Sequence, residues 1–263
     1  MSEKVILKTQ EEVELIKESS LLVGKTLGEV RKHVAPGVST WELDKIAEEF
    51  IRDHGGVPAF KDYQPSFGDS PFPGTLCTSV NDVVVHGMPS QKQILENGDI
   101  ISIDCGVLMN EYYGDSAYTF AVGEISAKKR RLMQVTKESL YKGIEKAVAG
   151  NRLGDISNAI QRHVETFGYT VVREMVGHGL GKSLHEPPEV PNYGKKRSGL
   201  RLEEGMVLAI EPMINMGRRF IKVADDGWTI LATDRKPSAH YEHSIVIRKN
   251  KAEILTTFDF IEN

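Results

Sequence analysis

Five residues carry the strongest chemical signal in this 263-residue chain. Asp104 and Asp115 sit eleven residues apart in GDIISIDCGVLMNEYYGDSAYTF. A hairpin turning at Met109–Asn110 sets them opposite each other, with Cβ atoms about 4.5–5.5 Å apart. Two carboxylates so placed repel, and half-buried in a sheet they require either a shared proton or a cation between them. A turn displaced by one residue would separate them, and two solvated aspartates are then the competing reading. His178 lies among glycines in GHGLGKSLHEPP, where small neighbours let a ligand approach closely. Glu211 in VLAIEPMI and Glu242 in AHYEHSIVI are carboxylates inside apolar runs, and each is costly to bury without a partner.

Together the five supply four carboxylates and one imidazole, a charge that two divalent cations would cancel. Oxygen-rich ligation favours Mn²⁺, Fe²⁺ or Co²⁺, with Zn²⁺ also compatible, whereas structural zinc prefers thiolates and imidazoles. Two such ions about 3.5–4 Å apart lower the pKa of a shared water and deliver hydroxide to a carbonyl at neutral pH. Metal-assisted hydrolysis is therefore the expected reaction class. A glycosidase, which needs two carboxylates, would leave His178 unused.

These residues need elements to hold them. Thr9 with Glu12, and Ser39 with Glu42, are capping boxes that open two helices, the first ending at Pro36-Gly37 and the second at Gly55-Gly56. A third helix is expected over Lys128–Ala149, and a fourth through Ile156, Ile160 and Val164 to Gly168. Gly37, Glu42, Leu43, Ala47, Ile51 and Gly55 recur as Gly150, Asp155, Ile156, Ile160, Val164 and Gly168 at a constant separation of 113 residues. That separation predicts one catalytic domain over 1–263 built from two related halves, about 1–125 and 126–263, with a cleft where they meet. Strands are expected at Asp82–His86, Asp99–Val107, Glu111–Val122, Met206–Ile214, Trp228–Ala232 and Tyr241–Arg248, from their Val, Ile, Tyr and Thr content. The class is thus α+β with mainly antiparallel strands.

Composition narrows the partners. With 33 Lys+Arg against 37 Asp+Glu, the net charge of −4 argues against binding nucleic acid or an anionic membrane through a basic face. The acidic N-terminal stretch is unlike a secretory leader, and no apolar run reaches the roughly 18 residues of a membrane span. Two cysteines, Cys77 and Cys105, in so long a chain read as free thiols of a reducing compartment, so the expected location is the cytoplasm.

The motifs VVVHGMP, GDIISIDCG with YYGDSAYTF, GHGLGKSLHEPP, LAIEPM and AHYEHSIVI, in this order, closely resemble those of the type I methionine aminopeptidases, metallopeptidases of the M24 family, along essentially the whole chain. The resemblance implies a pita-bread fold of pseudo-twofold related halves, in which antiparallel sheets are flanked by helices. It implies cotranslational removal of the initiator methionine from nascent chains when the second residue is small. The ligand roles it implies are Asp104 on one metal, Asp115 and Glu242 bridging both, and His178 and Glu211 on the other, with Glu211 also relaying a proton to the leaving amine. His185 would stabilise the oxyanion at the scissile carbonyl, and His86 would assist proton movement at the substrate nitrogen. His240 and His243 flank Glu242 and would orient it.

For the methionine side chain the resemblance points to Tyr63, Phe72, Cys77, Leu184 and Trp228, and for a monovalent cation, Na⁺ or K⁺, to Asn81, Val83 and Ser238. The loop 64–72 is longer than the family pattern, and Leu184 stands where an aromatic is frequent. A monomer meeting nascent chains at the ribosome is the implied setting, with no direct nucleic-acid recognition. The alternative within the same fold is an X-Pro aminopeptidase or dipeptidase, and outside enzymology a metal-free binding module that would lack these ligands.

Overall fold

Thr9 and Ser39 start the first two helices as their spacing predicts. The Glu12 N–H donates to Thr9 Oγ1 and the Thr9 N–H to Glu12 Oε2, and Ser39 and Glu42 repeat the exchange. The computed structural model describes residues 5–64 and 70–263. Its elements run α1 (Gln10–Arg31), α2 (Thr40–Asp53), β1 (Val57–Pro58), β2 (Leu76–Val80), β3 (Val83–Val85), β4 (Ile100–Met109), β5 (Tyr112–Ala121), α3 (Ala127–Ile144), α4 (Leu153–Thr166), β6 (Thr170–Val171), β7 (Gly177–Gly179), β8 (Glu186–Val190), β9 (Val207–Ile210), β10 (Met213–Asn215), β11 (Ile221–Val223), β12 (Ile230–Ala232), β13 (Ser238–His240), β14 (His243–Val246), β15 (Glu253–Ile254) and α5 (Asp259–Glu262).

All strand pairs among these are antiparallel. Strand β4 pairs with β5 on one side and with β2 and β1 on the other; the remaining sheets have the orders β13-β10-β6, β11-β12-β3 and β15-β14-β9-β7-β8. Apolar faces of α1, α2, α3 and α4 close over these sheets. Leu27, Leu43, Ile51, Ile101, Ile103, Ile156, Ile160, Leu208 and Ile245 are buried in one continuous core.

The two halves repeat in backbone detail. Gly37 and Gly150 both have φ of 94°, and Gly55 and Gly168 both have φ of 77°. These glycines occupy the left-handed region that ends a helix or opens a turn. Strand β1 pairs Val57 with Leu108, and its counterpart β6 pairs Thr170 with Asn215. By that correspondence β4 is matched by β9 and β10 together, which places Asp104 and Glu211 at equivalent points. The expected single strand over Met206–Ile214 is broken there, because Pro212 has no N–H to give the ladder.

Three further expectations change. The third helix stops at Ile144, short of Ala149, because Ala149 N–H instead donates to the Arg248 carbonyl at 3.1 Å. Strand β2 escapes sequence reading because all five of its residues are buried and show no alternation. The hairpin between β4 and β5 turns at Asn110 and Glu111, with φ of 52° and 65°, one residue beyond the expected turn. Asp104 therefore faces Ala117, and Asp115 faces Gly106. Since the partner changes by two residues, both carboxylates still project to one face, as diagonal neighbours.

Among the described residues no helix is long and apolar enough to cross a membrane. Both cysteines are buried free thiols.

Candidate metal centre

The five chemically marked residues come from five separate segments that meet between the halves. Asp104 is on β4 and Asp115 on β5, His178 is the middle residue of β7, Glu211 fills the gap between β9 and β10, and Glu242 the gap between β13 and β14. The hairpins are stitched together at this point. Glu242 N–H donates to the Ala117 carbonyl at 2.9 Å, Ser116 Oγ donates to the Glu242 carbonyl, and Ser244 Oγ donates to the Asp115 carbonyl, each at 2.7 Å. Strand β7 can carry His178 inward only because Gly177 lets it lie against β9. A Cβ there would stand 2.3 Å from the Ala209 carbonyl oxygen.

Ligand-type atoms of Asp115, His178 and Glu242 all lie within 4.8 Å of one another. His178 Nε2 is 3.8 Å from Asp115 Oδ2 and 3.7 Å from Glu211 Oε1, while its Nδ1 faces the Gly179 carbonyl at 2.9 Å. With Nδ1 donating to that carbonyl, Nε2 presents its lone pair to the carboxylates, the form a metal ligand requires. Asp104 Oδ1, Asp115 Oδ1 and Glu242 Oε1 are buried without a hydrogen-bond partner. Such orphaned carboxylate oxygens cost free energy unless a cation takes them, so the donor set fits divalent ions.

Burial sets the electrostatics. It pushes the Asp104 carboxyl up to about 7, with Glu211 adding to the rise and His240 opposing it. Glu211 is pushed up to about 8 by burial. Asp115 and Glu242 are raised well above the carboxylate range, first by burial and then by the neighbouring carboxylates. The same desolvation holds His178 down to about 3 and His86 to about 4, so both imidazoles are neutral.

His185 is exposed at the rim, its ring centroid 4.4 Å from that of His178 and its Nδ1 2.8 Å from the Tyr63 hydroxyl. His86 has a left-handed φ of 58° and an edge-on contact with Trp228, the centroids 6.2 Å apart. Phe72, Cys77 and Leu184 are buried in one apolar cluster, with Tyr63 and Trp228 packed against it. Phe72 meets Trp228 edge-on at 5.2 Å, and Cys77 lies opposite Asp104 in the β2–β4 register. Residues 65–69 of the long loop lie outside the described residues, but its ends are joined. The Phe72 N–H donates to the Tyr63 carbonyl at 2.9 Å. Asn81 and Ser238 are adjacent, the Ser238 N–H donating to the Asn81 carbonyl at 2.8 Å. Lys129 Nζ donates to Asn81 Oδ1 at 2.7 Å, and Val83 belongs to β3.

His240 and His243 differ from their expected placing. His240, buried to 1% exposure, has its Nε2 3.5 Å from Glu211 Oε2 rather than against Glu242. His243 points to the opposite face, stacked on Phe258 at 3.9 Å with Nδ1 at 2.7 Å from Thr256 Oγ1. The break at Tyr241–Glu242 puts His240 at the end of β13 and His243 at the start of β14, in different sheets. Asn192 was not legible in the sequence. It is fully buried and donates to the Glu211 carbonyl at 2.9 Å, yet it stands in an irregular stretch with no periodicity to mark it.

The comparisons with known proteins agree with this geometry. Residues 14–249 match the family model for metallopeptidase family M24. Methionine aminopeptidase of Clostridium acetobutylicum is 50% identical over 252 residues, covering 96% of this chain and 98% of that protein. The crystal structure of methionine aminopeptidase from Thermotoga maritima superposes with a TM-score of 0.93 at 41% identity, covering 97% of this chain and all of that one. Xaa-Pro dipeptidase from Bacillus anthracis, at 23% identity and a TM-score of 0.76, shares the fold over 95% of this chain and 62% of its own. Identity along nearly the whole length and a pita-bread fold of two pseudo-twofold related halves place the chain among the methionine aminopeptidases of metallopeptidase family M24.

Proposed function

We propose that this chain removes the N-terminal methionine from nascent proteins and peptides whose second residue is small, by dinuclear-metal hydrolysis within a single catalytic domain of two halves, about 1–125 and 126–263. The observation that carries the reading is the set of buried, partnerless carboxylate oxygens on Asp104, Asp115 and Glu242, with the Cys77 thiol and the Phe72 and Trp228 rings in one apolar cluster and Cys77 opposite Asp104. Asp104 would hold one ion, Asp115 and Glu242 both, and His178 and Glu211 the other. Mn²⁺, Fe²⁺ and Co²⁺ suit that set, and Zn²⁺ is tolerated. When bound, the ions supply Lewis acidity and an ionised water as nucleophile at neutral pH.

The chain's own residues do the rest. Glu211 takes up a proton and passes it to the leaving amine. The Tyr63 hydroxyl lies 2.8 Å from His185 Nδ1, and in the tautomer where it donates there the other ring nitrogen carries the proton and would donate to the oxyanion that develops on the scissile carbonyl. His86, neutral and held at its left-handed turn, assists proton movement at the substrate nitrogen. Phe72, Cys77, Leu184 and Trp228 receive the thioether, whose sulfur gains from aromatic contact. A monovalent cation, Na⁺ or K⁺, at Asn81, Val83 and Ser238 belongs to the same reading. So do a monomeric state, the cytoplasm, and encounter with nascent chains at the ribosome without direct recognition of nucleic acid.

The X-Pro peptidases share the fold, and a paired assay separates the two readings. With Mn²⁺, Fe²⁺ or Co²⁺ the protein is expected to release methionine from a Met-Ala peptide and to leave a matched Ala-Pro peptide intact, a chelator abolishing release reversibly. No methionine release with any of these ions at neutral pH, or preferential cleavage of Ala-Pro, overturns the proposal.

A further inference from the structure

The loop that presents His185 is held by a buried ion pair from the far end of the chain. Lys8 Nζ donates to Glu186 Oε2 at 2.6 Å, with 2% and 7% of the two side chains exposed. The other carboxylate oxygen, Oε1, accepts the Ser183 N–H at 3.2 Å. Glu186 pairs with Gly179, the residue after His178, so the carboxylate sits at the mouth of the β7–β8 hairpin. Within that hairpin Leu184 is buried at 3% and Glu186 at 9%, and His185 between them faces outward to Tyr63. Both neighbours are anchored inward, Leu184 by burial at the end of the irregular stretch 181–185 and Glu186 by its ion pair at the start of β8, and between them they fix where the imidazole points.

The lysine is itself locked. Its N–H donates to the Gly205 carbonyl at 2.8 Å, and its side chain passes so close to Gly181 that a Cβ there would lie 2.4 Å from Lys8 Cε and 2.5 Å from Nζ. Gly181 in turn accepts the Tyr113 N–H at 2.9 Å, which ties the hairpin to β5, where Asp115 sits. A charge buried as Glu186 is costs free energy when its partner is removed, and Lys8 is the only partner in an ion pair with it among the described residues. The conformation of residues 183–186 thus depends on an ammonium supplied from residue 8.

We infer that Lys8 and Glu186 are positioning residues that act on turnover through His185, so that the segment preceding α1 is part of the active-site support. The inference rests on the role given to His185 above. Lys8→Met removes the ammonium with little loss of apolar volume. On a Met-Ala-Ser peptide with saturating Mn²⁺ it is expected to lower kcat by at least about tenfold with KM and metal content unchanged, and by less than about twofold when His185 is already alanine. In the metal-free protein, amide exchange of residues 181–186 is expected to accelerate about tenfold or more while exchange in α3 and α4 stays as it was.

If Lys8→Met fails to fold, the same measurements are made on Lys8→Met with Glu186→Gln, which leaves no buried charge unpaired. An equal loss of kcat in both backgrounds, a lowered melting temperature with kcat intact, or loss of bound Mn²⁺ overturns the inference while leaving the role of His185 standing. An unchanged kcat in His185→Ala alone overturns both.

Discussion

Metal removal should make the stability of this protein fall as pH rises from about 7 to about 8. In the folded, metal-free chain, burial holds Asp104 at about 7 and Glu211 at about 8, with Asp115 and Glu242 higher still. In the unfolded chain these groups titrate near their ordinary values of about 4. Between those limits the folded state binds protons that the unfolded state does not, so each raised carboxyl stabilises the fold at low pH and ceases to as pH passes its folded value.

The histidines work in the opposite direction. His86, His178 and His243, held down to about 4, 3 and 3, with His185 and His240 also lowered by burial, favour the folded state increasingly as pH rises, but about three-quarters of that gain is complete at pH 7 and nearly all of it by about pH 8. Cys77 and Cys105, whose thiols burial pushes up, begin to contribute only near the ordinary thiol value of about 8.5. Between about pH 7 and 8 the four raised carboxyls therefore outweigh what remains of the imidazole contribution.

One net proton held across that interval gives a slope of about −1.4 kcal/mol per pH unit. The cluster should show at least this, although each ionisation charges the site and holds back the next. Urea unfolding of chelator-treated protein at about pH 7, 7.5 and 8, followed by far-UV circular dichroism and extrapolated linearly, measures the slope directly. Saturating Mn²⁺ should flatten it, because bound ligands are ionised in the folded state as well. A metal-free stability that is level or rises over this interval, or a slope unaffected by Mn²⁺, refutes the argument that these carboxyls hold protons when no cation is present.

Three substitutions test other parts of the site. His185→Ala should retain both metals by elemental analysis while kcat falls about 10²–10³-fold, as for loss of one oxyanion donor; loss of metal would instead make His185 a ligand. Trp228→Ala removes the edge-on contact with Phe72 and should raise KM for a Met-Ala peptide about tenfold with a smaller change in kcat, equivalent to about 1.4 kcal/mol of pocket contact. Gly177→Ala places a Cβ 2.3 Å from the Ala209 carbonyl oxygen, so the strand bearing His178 must shift; about 1–3 kcal/mol lower stability in urea and weaker metal retention are expected.

The sequence alone determined what could be read over short range. Capping boxes at Thr9 and Ser39 begin helices where they stand, because a hydroxyl and a carboxylate three residues apart satisfy orphan N–H groups locally. Glycines spaced 113 residues apart showed the repeat, because a left-handed φ marks itself in the sequence. Carboxylates within apolar runs exposed themselves because burial makes them costly.

Tertiary structure decided whatever depended on register and distant contact. A turn shifted by one residue moved Asp104 from Asp115 to Ala117. Pro212 split a continuous apolar run, so that Glu211 falls between two strands. His240 was turned to Glu211 and His243 to Phe258. Lys8 was brought 178 residues along the chain to Glu186. Pairing energies of this kind belong to two segments at once, and no window of sequence contains both.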